Sequence, residues 1–280
     1  MKKISYINSL GVEFELNGEE FLLQKFESNS NVNIHNSKGI KQDGANYLGN
    51  NLDIRDVSLE FTVIGTTNKE LIDYKDKINK VFNPKLNEGW IVYKDGVKER
   101  KIKCIVIKTP QFSDINIMVS KCLVFLIAHD PYWKDYYEDR EKIITWIGGW
   151  KFKFKLPFKF KQKGQPRKNI FNEGHVETPI EIIFKGPALN PSVINHTSGE
   201  FIKVDRALTS DDILYITTEF GNKKVEIERN GVKQNAFNYI DLDSTFFQLK
   251  VGDNMIEYKT ENNLDPQSVE IIYRNRYLGI

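Results

Sequence analysis

Apolar residues alternate with polar ones along much of this chain, and that period of two restricts the fold more than any other feature. Successive side chains on a strand point to opposite faces, so alternation builds half-buried sheet, whereas a helix repeats roughly every 3.6 residues. Val57, Leu59, Phe61 and Val63 alternate with Ser58, Glu60 and Thr62. Val12, Phe14 and Leu16 share one face, with Glu13 and Glu15 on the other, and Asn17-Gly18 then reads as a tight turn because both residues tolerate positive φ. Residues 90–94 lead through Asp95-Gly96 into a return strand over Ile102, Cys104 and Val106, and residues 117–127 read as a long, more fully buried strand. Aromatics make up 12% of the chain, and they favour the same pleated surfaces.

One segment changes period. Thr67-Asn68-Lys69-Glu70 fits a capping box, and Leu71, Tyr74, Ile78, Val81 and Phe82 follow at helical spacing up to Asn83-Pro84. The spacing predicts one helix that lays an apolar stripe on a sheet. Past residue 169 short strand candidates return at 180–184, 213–217, 225–228, 246–249, 255–259 and 269–273, punctuated by Asn230-Gly231 and Gly252-Asp253. That rhythm suggests a sandwich or jelly roll. Between the two halves, Phe152, Phe154, Leu156, Phe158 and Phe160 alternate with lysines at 151, 153, 155, 159 and 161. Lysines and Pro157 suit an exposed sheet edge, and a basic stripe for an anionic polymer is the competing reading.

Motifs of chemistry are scarce. The sequence holds no phosphate loop and no nucleophile elbow, and His35, His129, His175 and His196 lack metal-ligand spacing. Cys104 and Cys122 sit in apolar strand-like stretches and read as small buried side chains. Acids cluster at Asp211-Asp212, at Glu138-Asp139 with Glu141, and at Asp241 with Asp243. Such residues are common in turns, and a glycosidase would need two of them correctly spaced in the fold. A net charge of +2 argues against a dedicated nucleic-acid binder. The apolar run 122–128 is too short for a membrane helix. Residues 1–6 carry no long apolar stretch of the secretion-signal kind, so synthesis and assembly in the cytoplasm are expected.

Several groups of residues, in this order, resemble the siphophage distal tail protein family. They begin with Asp43-Gly44-Ala45 before a loop and Arg55 before an alternating strand. The helix end at Phe82-Asn83-Pro84, the hairpin at Tyr93-Lys94-Asp95-Gly96 and Arg100 follow, and Asp130-Pro131-Tyr132-Trp133 closes the first half. Asn172-Glu173-Gly174, Thr178-Pro179-Ile180, Asn195–Glu200, Ser244–Leu249, Val251–Asn254 and the 271–280 stretch with Tyr273 and Tyr277 continue it. The resemblance implies a mainly β chain. Residues 1–134 would form a ring-building, tail-tube-like β-sandwich or split barrel with one helix and an extended hairpin. Residues 135–280 would form a connector and a galectin-like, jelly-roll sandwich. It also implies a hexameric ring at the virion tail tip, between tail tube and tip hub. Its partners would be further copies, tube, tape measure and hub proteins, and a receptor-binding protein or cell-wall glycan, with no enzyme activity and no cofactor. Asp43, Gly44, Arg55, Asp130, Pro131, Tyr132, Trp133, Tyr273 and Tyr277 are the structural or interface positions it marks. A glycan-binding module using Tyr215, Phe237, Tyr239, Phe246 and Phe247 is the alternative function, and a wall-degrading enzyme the remote third.

Overall fold

The computed structural model describes residues 2–143, 166–261 and 268–280, with the backbone alone at 146–147 and 162–163. The Lys/Phe stretch at 151–161 lies outside the described residues. The fold is mainly β, with antiparallel sheets and one α-helix among the described residues. The chain forms two compact units, residues 1–136 with 277–280, and residues 137–276.

In the first unit the strands are β1 (Lys3–Ile7), β2 (Glu13–Leu16), β3 (Phe21–Ser37), β4 (Asn46–Ile64), β5 (Gly89–Lys94), β6 (Glu99–Val106), β7 (Gln111–Asp114), β8 (Val119–Ala128) and β9 (Trp133–Asp135). Their sheet runs in the order β2-β1-β5-β6-β8-β4-β3. The outermost strands, β2 and β3, are consecutive in sequence and joined by four residues, with the Asn17 amide bonded to the Phe21 carbonyl. A sheet whose two ends are tied by so short a turn must curl towards closure. Asn17 takes φ 107° there, which its short polar side chain tolerates better than most.

The curled sheet encloses a core built by the alternation. Val57, Leu59, Phe61 and Val63 are buried, and so are Ile102, Cys104 and Val106. Tyr6 and Phe82 stack at 4.7 Å, and Phe14 lies 4.6 Å from Phe21 and 5.4 Å from Phe82. Gly89 is required by this packing, since a Cβ would meet the Ile7 carbonyl at 2.6 Å. Helix α1 (Asn68–Val81) contributes Leu71, Ile78 and Val81. The Thr67 hydroxyl caps the Glu70 amide, but the Glu70 carboxylate reaches the Thr66 amide and hydroxyl, one residue earlier than a capping box predicts.

Two strand expectations need correction. The stretch from 117 begins its strand only at Val119, and it alternates: Ser120, Cys122, Val124, Leu126 and Ala128 are buried, while the residues between are less so. Ile117 is exposed in the turn, because Asn116 closes a bend onto the Val119 carbonyl. Val12 stays outside β2 and is exposed, although Phe14 and Leu16 point inward.

The second unit is a sandwich of a six-stranded and a four-stranded antiparallel sheet. The larger sheet orders Asp139–Ile143, Ser268–Tyr273, Ile180–Lys185, Ile213–Thr217, Lys224–Arg229 and Val232–Asn235; the smaller orders Arg167–Asn172, Gly252–Lys259, Ser192–Asn195 and Glu200–Lys203. Ile182, Phe184, Leu214, Ile271, Val193, Ile202 and Ile256 interleave as its core. Asn230 and Gly231, at φ 52° and 76°, make the hairpin that their sequence predicts. Residues 246–249 do not form a strand; Leu249 makes only an isolated bridge to Thr178. Phe247 is buried there by packing, since alternation over so few residues cannot separate a strand from an irregular segment lying on the core.

Candidate functional site

Strands β3 and β4 are 17 and 19 residues long, about three times a usual strand. Their inner halves belong to the sheet, but the pairing of β4 with β8 ends at Arg55↔Ala128. Among the described residues, 46–54 of β4 therefore pair with β3 alone, through Leu52↔Val32, Asn51↔Asn33 and Asn50↔Ile34. The result is a two-stranded ribbon running on to a tip at 38–45. Its apolar side chains stay largely uncovered among the described residues: Val32, Ile34, Tyr47 and Leu48 are 51–68% exposed, and Ile40 at the tip 98%. The register places Val32 and Leu52 on one face, and Ile34, two residues on, shares it. A two-stranded ribbon is marginal in water by itself, and unpaired strand edges are templates for association.

At the ribbon's root the resemblance-marked residues converge. Arg55 is buried, and its guanidinium donates to the carbonyls of Pro131 (2.6 Å), Ser28 (2.8 Å) and Leu278 (2.7 Å). Burial pulls its pKa below the ordinary value, yet an arginine remains charged in proteins. The Asp130 carboxylate accepts from the Tyr132 amide and pairs with Lys134 at 3.0 Å, shaping the turn that aims the Pro131 carbonyl. Trp133 is fully buried, with its indole N–H 3.3 Å from the Ser28 hydroxyl. The Tyr277 ring lies 3.5 Å under the Arg100 guanidinium, and its hydroxyl donates to Asp135. Arg100, also buried, donates to the Gly279 carbonyl at 2.6 Å.

Tyr132 sits half-buried beside this cluster. Asp43 and Gly44 do not join it: they lie exposed at the ribbon tip, where Gly44 takes φ 75°. Tyr273 belongs to the second unit, with its hydroxyl 3.3 Å from the Phe171 carbonyl. Sequence reading missed Ser28, the common partner of Arg55 and Trp133, and it missed the apolar face of the ribbon. Residues 29–53, rich in Asn, Ser and Gly, carry little alternation and gave no signal beyond the hairpin that the resemblance implied.

The chemistry considered for the second unit is occupied by structure. Asp212 is buried and takes a two-bond ion pair from Arg229 at 2.6 and 2.7 Å, which, with the Thr209 amide, holds its carboxyl well below the usual range despite burial. Glu138 pairs with Arg274, and Glu141 with Lys168. Phe237 and Phe246 stack on each other at 5.7 Å, with Lys223 over Phe246, and Phe247 is core. The four histidines are exposed; His35 reaches Asn51 within the ribbon, and His196 contacts Glu257. Among the described residues, no group of three or more His, Cys, Asp or Glu gathers as a metal would require. Cys104 and Cys122 are free and buried, and burial pushes both thiols up to about 12. An open groove of about 320 Å³ along β7 and β8 is lined by Glu60 as its one acid, beside Lys121.

Residues 9–121 match the phage tail protein RIFT-related domain, and residues 173–277 match the siphovirus-type tail component C-terminal domain. The fold is similar over 99% of this chain and 100% of the other to that of the phage SPP1 Dit protein, described as a paradigm of the hub adsorption apparatus in phages infecting Gram-positive hosts (TM-score 0.72, 15% identity). It is also similar to chains of the phage P2 baseplate in its activated conformation with Ca and with Sr, at TM-scores of 0.58 and 0.55 and 12% identity, each covering 100% of both chains. No curated protein sequence matches the chain.

Proposed function

The chain belongs to the siphophage distal tail proteins, a phage tail and baseplate structural family, and on that premise we propose that six copies close into a ring at the virion tail tip, joining the tail tube to the tip hub. The observation that carries this reading is the ribbon of residues 29–54, whose outer edges and apolar face stay unpaired and uncovered among the described residues. A ring of like subunits uses a heterologous interface, one patch meeting a different patch on the next copy until rotation closes. A protruding ribbon suits that geometry, because it can lie along a neighbour's sheet and bury its apolar face there.

The first unit would carry the ring, and the second would hold hub or receptor-binding components outside it. The lumen would pass tape measure and DNA, for which a net charge of +2 gives no strong grip. The role is mechanical and needs no catalysis or cofactor. Host-glycan binding by the second unit has less support, because Phe246 stacks on Phe237 with Lys223 over its ring, and Phe247 is core.

Electron microscopy of purified protein, with scattering mass, tests the ring. Closed six-fold rings are expected for the native chain, and a monomer for the Val32→Asp/Ile34→Asp variant with its circular dichroism unchanged. A native chain that stays monomeric at high concentration with tube protein present would sink the proposal.

A further inference from the structure

Residues 277–280 follow the whole second unit in the sequence, yet they belong to the first. Arg276–Tyr277 pairs with β9, Tyr277 packs into the first unit's core, and charged groups add to these contacts. Arg55 and Arg100 are respectively 3% and 6% exposed, and each spends a guanidinium N–H on a carbonyl of this segment, Leu278 and Gly279. Tyr277 covers the Arg100 guanidinium with its ring and donates to Asp135, a residue of β9.

A buried guanidinium without acceptors is costly, because desolvation of the charge is then uncompensated. With residues 277–280 undocked, Arg55 retains Ser28 and Pro131, but Arg100 loses both its carbonyl acceptor and its aromatic cover. Arg55 also lies where the free ribbon meets the sheet, so the same event loosens the ribbon's root.

We propose that residues 277–280 are a latch: the first unit becomes rigid at the ribbon root only when this segment, made after the entire second unit, docks on Arg55 and Arg100. A chain without the segment then presents a loose ribbon, and self-association waits for it. The second clause rests on the ring reading; the latch itself does not.

Hydrogen exchange on the full chain and on a chain ending at Arg276 tests the latch. Loss of charge-assisted bonds to two buried guanidinia should speed amide exchange at 55, 100 and 133–135 by about a hundredfold. Amides at 180–185 and 269–273, in the second unit, should keep their protection. If the shortened chain aggregates, full-length Tyr277→Ala carries the test, with about tenfold faster exchange expected at 100 and 135. Unchanged exchange at those positions in the soluble variant overturns the latch. Ring formation is scored separately on the same samples: a native chain that never forms rings, yet shows the exchange difference, removes the ring reading and leaves the latch standing.

Discussion

The two units handle buried charge in opposite ways. In the first, the buried charged residues are Arg55 and Arg100, and their acceptors are backbone carbonyls. In the second, buried carboxylates dominate, Asp212, Glu257 and Glu270, and their partners are cationic side chains. For Glu257, burial alone would raise the carboxyl, but contacts from His196 and Arg167 and the nearby Lys259 outweigh it and leave it below the ordinary value. Glu270 is likewise pushed up by burial and brought below its ordinary value by Arg140, Lys185 and Lys142. Carbonyls do not titrate and arginine does not discharge, so the guanidinium–carbonyl bonds of the first unit are themselves indifferent to pH. Carboxylates do titrate, so the second unit's pairs are not.

The sharpest way to break this contrast is to remove the clamp. Arg55→Ala should cost the first unit about 3 kcal/mol, because three carbonyls lose a charged donor and a side-chain-sized void remains. Urea unfolding should report a similar loss at pH 5 and at pH 8; a loss confined to one end of that range contradicts the account. Asp212→Asn comes next and should behave differently. The folded carboxyl of Asp212 lies below its unfolded value, so its stabilisation is fully present above the unfolded value of about 4 and fades as pH falls through the folded one. The urea midpoint of the variant should therefore lie below the native one at pH 7 and converge on it in acid. In the native chain, acid titration followed by exchange should loosen residues 180–185 and 269–273 before residues 57–63. The smallest effect belongs to the ribbon face. Val32→Ser should change unfolding stability by no more than about 0.5 kcal/mol, because that side chain is already half in water, while weakening any ring seen by light scattering.

Legibility in the sequence followed burial. Where one face of a strand is buried, as at 57–63 and 102–106, the alternation gave the strand and its inward face, and at 213–217 the apolar run gave the strand alone. In the ribbon, which among the described residues lies outside the chain's own core, alternation is confined to short stretches such as Val32 and Ile34, and the longest strands were visible only through the family resemblance. Residues 246–249 failed the other way: alternating apolar residues there lie on the core without joining a ladder. Among the site residues, Arg55, Pro131, Trp133 and Tyr277 were marked as separate positions, and nothing in their spacing joined them.

The sequence by itself determined that the chain is mainly β, with one capped helix and hairpins at Asp95-Gly96 and Asn230-Gly231, because those outcomes rest on local periodicity and on backbone preferences that neighbouring residues set. Only the tertiary structure decided that residues 277–280 return to the first unit, and that Arg55 joins Ser28, Pro131 and Leu278. Those contacts span 27, 76 and 223 positions, and a hydrogen bond to a backbone carbonyl leaves no mark on the identity of the residue that offers it.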